Sequence, residues 1–158
     1  MKDLILVQHA SGAPGLRFLG MGPRFIPARG IRQLQVLLDR NTSWATKRNK
    51  HEIRRMLSKS DVIVSAWKGS KLIGFGRATS DRIYRAVLWD IVVEKSYQRS
   101  GVGKSIVTSL LSNRLIGNAE KIYVMTTEFA NFYKRMGFQL EKNQHLMKLK
   151  NKKMNFWI

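Results

Sequence analysis

The chain has 158 residues, 44% of them hydrophobic, and carries no cysteine, which excludes disulfides, thiolate metal sites and a cysteine nucleophile. Its net charge of +19 is spread through both halves rather than gathered in a tail. That excess fits either a polyanionic partner, such as nucleic acid or the ribosome, or a basic solvated surface, and no nucleic-acid module motif sharpens the first alternative.

Taken in order, residues 1–15 match no recognisable pattern. Their short apolar run Leu4-Ile5-Leu6-Val7 is too brief for a signal-peptide core. No run reaches membrane-span length, so a cytoplasmic protein is expected, or a stromal one if plastid-encoded. Residues 11–30 hold five glycines and all three prolines and read as a loop-rich entry, with a short strand near 16–19. Residues 29–39 place Ile31, Leu34, Leu37 and Leu38 at helical spacing, and 47–58 form a second, very basic helix with Ile53, Met56 and Leu57 on its apolar face. Strands are predicted over 61–67 and 72–79, joined by the Lys68-Gly69-Ser70-Lys71 turn. A further strand ends at Val93, and 121–126 is a short one. Residues 129–136 read as a helix ended by Gly137, and 138–140 and 146–149 as two closing strands. Residues 150–158 make a basic tail. One domain over 1–158 is expected.

Between the strand ending at Val93 and the next helix lies Ser96-Tyr97-Gln98-Arg99-Ser100-Gly101-Val102-Gly103-Lys104-Ser105. Its Gly-Lys-Ser ending suggests a nucleotide P-loop, but Gln98 stands where the first glycine would be needed. The dinucleotide pattern fails at Ile106. What remains is Gln98-x-x-Gly101-x-Gly103 before a helix whose apolar stripe is Gly103, Ile106, Val107, Leu110 and Leu111. Glycines allow close backbone approach, and a helix N-terminus offers free N–H groups to an anion. The alternative is an ordinary glycine turn capping a helix.

This loop, the element order and the segment Phe132-Tyr133-Lys134-Arg135-Met136-Gly137-Phe138 resemble the GNAT superfamily of acyl-CoA N-acyltransferases. Leu72–Asp81, Tyr84-Arg85-Ala86, Leu88-Trp89-Asp90 and Tyr123–Thr127 are similar to its cyanobacterial and plastid branch, which includes chloroplast enzymes acetylating arylalkylamines and protein lysines. The resemblance implies an α/β (α+β) fold, a central mixed, mostly antiparallel sheet flanked by helices. It implies acetyl transfer from acetyl-CoA, with no metal, to a primary amine by direct attack. A homodimer is compatible with it.

The resemblance also implies site residues. Backbone N–H groups of Arg99, Ser100, Gly101, Val102, Gly103 and Lys104 would hold the pyrophosphate, with Gln98 shaping the loop. Ile91, Val92 and Val93 would pair with the pantetheine arm, and the Val93 N–H would face the thioester oxygen. Tyr133 is the expected general acid. Many members place an asparagine where this chain has Thr126, and Asn131 is the expected substitute. Asp90, a carboxylate in an apolar strand, is expected either as a base or water-positioning group or in a buried ion pair with Arg85 or Arg77. Trp89, on the opposite face by strand alternation, would wall an acceptor pocket. Glu94 and Glu128 are reserve bases.

Overall fold

The computed structural model describes residues 3–9, 11 and 30–149. In chain order the elements are β1 (Leu4–His9), α1 (Gly30–Asn41), α2 (Lys50–Ser58), β2 (Val62–Lys68), β3 (Lys71–Ser80), β4 (Arg85–Val93), a 3-10 turn (Lys95–Tyr97), α3 (Val102–Ser112), α4 (Arg114–Gly117), β5 (Lys121–Val124) and α5 (Ala130–Lys134). They group into two compact units, one up to Met125 and one from Thr126.

The first unit holds a five-stranded sheet of order β1-β2-β3-β4-β5. β1 to β4 are antiparallel neighbours, and β5 joins β4 in parallel. Mixed α/β with a mostly antiparallel sheet is therefore the observed architecture. One sheet face is covered by α1 and α2, whose Leu34, Leu38, Ile53 and Leu57 pack with Phe75 and Val92. Their burial at helical spacing is what turns these segments into helices on a sheet. α2 starts with a capping box: the Asn49 side chain accepts from Glu52 N–H at 2.8 Å, and the Asn49 N–H donates to the Glu52 carboxylate at 3.4 Å.

The other face is covered by α3, which buries Val102, Ile106, Val107 and Leu110. This stripe begins one residue earlier than the predicted one. Helix and sheet approach closely at Gly76, where a Cβ would lie 2.7 Å from both the Ile106 and the Ile91 side chains.

The predicted strand at 16–19 lies outside the described residues. β1, by contrast, was not expected. Its four consecutive apolar residues lack alternation, and Ile5 and Leu6 stay partly exposed on the sheet edge, so the signal was that of a loose apolar run. α4 was also unexpected; it starts where the Asn113 side chain accepts from Leu115 N–H at 2.9 Å.

In the second unit, α5 closes with Gly137 at φ 93°. Gly137 N–H donates to the Lys134 carbonyl and Phe138 N–H to the Tyr133 carbonyl, a Schellman ending as the sequence suggests. The two closing strands do not form: no residue from 125 to 149 is in a strand. Leu140 and Leu146 are 76% and 79% exposed. Short apolar runs carry a β preference, but without a pairing partner that preference does not make a strand.

Candidate active site

β4 changes character along its length. Arg85–Leu88 pair with β5 on one edge, and Ala86–Leu88 also pair with β3 on the other. The β5 ladder stops at Leu88↔Val124, so among the described residues the β4 edge beyond it has no strand partner. The β3 pairing also shifts register, from Arg77↔Trp89 to Phe75↔Val92. Two steps on β3 face three on β4, which is a β-bulge, and Asp90 within it has φ 53°.

The bulge corrects one expectation. Trp89 and Asp90 do not face opposite ways; both meet Arg77. The Arg77 guanidinium lies 5.6 Å from the Trp89 ring centroid, and its Nε donates to Asp90 Oδ2 at 2.6 Å. A left-handed residue interrupts the alternation that the prediction assumed. Asp90 Oδ1 pairs with Arg48 Nη1 at 3.2 Å, and the aspartate side chain is 5% exposed. Of the two partners considered, Arg77 is engaged, while Arg85 faces Glu120 at 4.0 Å. Arg48 was missed, because nothing local in the sequence ties the start of α2 to the middle of β4. Trp89 donates its indole N–H to Thr79 Oγ1 at 2.8 Å.

From Val93 the chain enters the loop under several restraints. The Gln98 side chain donates to the Val93 carbonyl at 3.1 Å, tying the loop back to the strand end. Ser100 Oγ donates to the Tyr97 carbonyl at 2.5 Å. Glu94 accepts from Lys71 Nζ at 2.6 Å, and the Lys68 and Lys71 ammonium groups lie over the Tyr97 ring at 5.5 and 5.7 Å. Lys95 N–H donates to the Asn41 side chain at 3.0 Å. Arg99 and Gly101 take φ 61° and 90°. At Gly101 a glycine meets this without strain. Ser105 N–H then donates to the Gly101 carbonyl as α3 begins. The N–H groups of Val102, Gly103 and Lys104 have no carbonyl four residues back inside the helix. Arg99, Ser100, Gly101 and Lys104 are exposed.

These features suit a ligand with a diphosphate and an amide-bearing arm. The free first-turn N–H groups and two cations would meet the diphosphate. The unpartnered β4 edge over Ile91, Val92 and Val93 would meet the arm as an added strand.

The acetyltransferase (GNAT) domain family model matches residues 59–140, which spans β2 through α5. The chain belongs to the GNAT acetyltransferase family. Among curated proteins, this GNAT chain is 32% identical over 111 residues to the uncharacterized N-acetyltransferase ycf52 of Pyropia yezoensis, covering 67% of this chain and 63% of that protein. It is 39% identical over 74 residues to the chloroplastic GCN5-related N-acetyltransferase 2 of Arabidopsis thaliana, covering 45% of this chain and 28% of that one. The GNAT chain thus spans between about a quarter and just under two thirds of these relatives' lengths. A solved GNAT-family acetyltransferase from Streptococcus pneumoniae superposes with a TM-score of 0.70 at 21% identity, covering 94% of this chain and 98% of that one, so the fold is shared. Plastid relatives agree with the cyanobacterial and plastid branch expected from the motifs.

The remaining candidates stand in the second unit. Tyr133 is buried on α5, with Phe132 and Phe138 edge-on to its ring at 4.9 and 5.6 Å. Burial pushes its phenol up to about 12. Asn131 is exposed on the same helix. Thr126, at the position where asparagine was noted in other members, accepts from Phe129 N–H at 3.1 Å through its hydroxyl. Glu128 is exposed.

Proposed function

We propose that the protein is an acetyl-CoA-dependent N-acetyltransferase acting on a primary amine, either an arylalkylamine or a protein lysine or N-terminus, by direct attack. The observation that carries this reading is the β4 edge, without a strand partner beyond Leu88 among the described residues, running directly into a Gln98-braced glycine loop at the start of α3. Plastid-type relatives named as N-acetyltransferases support the reaction class.

Bound acetyl-CoA would supply the activated thioester. Residues Arg99 to Lys104 would hold its diphosphate, and Ile91 to Val93 would align its arm. The Val93 N–H would donate to the thioester oxygen as charge gathers there. Tyr133 would donate to the departing sulfur. With its phenol at about 12 and a thiol near 8.5, complete proton transfer is uphill by roughly 5 kcal/mol. Tyr133 would therefore act as a neutral hydrogen-bond donor to the sulfur: as the C–N bond forms and the C–S bond breaks, the proton lost by the attacking amine would pass to the departing thiolate, and Tyr133 would keep its own. Asp90, with both oxygens on arginines, acts as a positioning residue that keeps the bulge shaped. Thr79 and Arg77 hold Trp89 as one wall for the acceptor.

Free-thiol release from acetyl-CoA, measured against arylalkylamines, polyamines and lysine peptides, tests the proposal. Amine-dependent release is expected, with kcat falling about 10²-fold in Tyr133→Phe. Absence of acetyl-CoA binding by calorimetry would overturn it.

A further inference from the structure

One cluster of cations is ordered on a single helix face. On α2, Lys50, His51, Arg54 and Arg55 are exposed. At about 100° per residue they share an arc of roughly 140°, which starts at Lys50, about 20° from the buried Leu57, and turns away from Leu57 and Ile53 through Arg54 and His51 to Arg55. Glu52, the acid of this helix, lies off that arc and is committed to capping Asn49. Lys59 follows, also exposed. Among the described residues, Lys50, Arg54, Arg55 and Lys59 take part in no ion pair.

Their spacing sharpens the point. Lys50 with Arg54, and Arg55 with Lys59, are like charges four residues apart, an arrangement that weakens an isolated helix. The face therefore forgoes stability that alternating charges would give. The loop entering α2 adds an aromatic: Trp44 is 54% exposed, with exposed Lys47 close behind it. Exposed cations along a helix, with an exposed aromatic in the loop that leads into it, are the two elements that hold single strands, phosphates on the cations and a base on the ring. An acidic peptide would use the cations but would have no need of the indole.

We infer that the outer face of α2, with Trp44 at its entry, is a binding surface for single-stranded nucleic acid. This is independent of acetyl transfer and uses none of the residues assigned to it.

The test is fluorescence anisotropy of the full chain with a labelled oligouridylate between 50 and 200 mM NaCl. Contacts to about four phosphates give a slope of log affinity against log salt of about −3. The double variant Arg54→Glu, Arg55→Glu replaces both like-charge pairs with opposite charges. It is expected to keep or raise Tm, retain thiol release, and bind the oligonucleotide at least about tenfold more weakly. Trp44→Ala is expected to weaken binding about tenfold with an unchanged salt slope. Wild-type affinity in the double variant would overturn the proposal. So would equal affinity for a duplex of the same length, or for a polyglutamate of matched charge.

Discussion

His9 closes β1 with its Nε2 2.8 Å from Ser65 Oγ, and Ser65 also accepts from the Trp67 indole at 2.8 Å. Burial lowers the imidazole to about 4, just as burial raises the Tyr133 phenol; in each case desolvation keeps the group neutral. The unfolded chain takes up the His9 proton below about 6.5, while the folded one resists it down to about 4. Between those values the unfolded state binds more protons, so stability falls as pH falls, by up to about 3 kcal/mol from this residue. Urea midpoints at pH 7 and 4.5 should differ more for the wild type than for His9→Gln; equal differences would remove His9 as the cause. At this scale the sequence was informative where a residue was out of character locally. Asp90 stood out as a carboxylate among apolar neighbours, and proved to be buried. His9 gave no such signal, because its partner Ser65 lies on a strand that only the fold brings beside it.

At the scale of elements, α3 sits where it does because β3 presents no side chain at Gly76. Gly76→Ala would place a methyl group 2.7 Å from Ile106 and Ile91, and Ile106 is itself fully buried. The helix must then lift, at about 1–3 kcal/mol. Because the loop and the first turn of α3 move with it, acetyl-CoA should also bind more weakly. Thermal melts and calorimetry on this variant read both effects, and a lowered Tm with unchanged acetyl-CoA affinity would detach loop geometry from helix position. Periodicity made α1, α2 and α3 legible, and the Lys68–Lys71 turn revealed the β2–β3 hairpin. Pairing beyond that hairpin was not legible. β1 forms because β2 offers it a ladder, whereas the apolar runs at 138–140 and 146–149 find none. The bulge in β4 was hidden for the same reason: it is a mismatch between two strands, and neither sequence contains it alone.

For the whole molecule, the charge of +19 is a property of folding as much as of recognition. Compaction brings like charges together, and salt relieves them. Raising NaCl from 10 to 150 mM shortens the screening length from about 30 to about 8 Å. Tm should therefore rise over that range in the ligand-free protein, and a flat response would mean that the cations are already well separated in the fold. The same sheet carries a second whole-molecule consequence. Beyond Leu88 the edge of β4 has no strand partner among the described residues, although Gln98 occupies the Val93 carbonyl, and an extended peptide presents the same amide chemistry as a pantetheine arm. On the proposed reading, the donor substrate and a second copy of the protein compete for one edge. Concentrated ligand-free stocks are then where filaments or strand-exchanged pairs begin, and saturating acetyl-CoA is what keeps the copies apart.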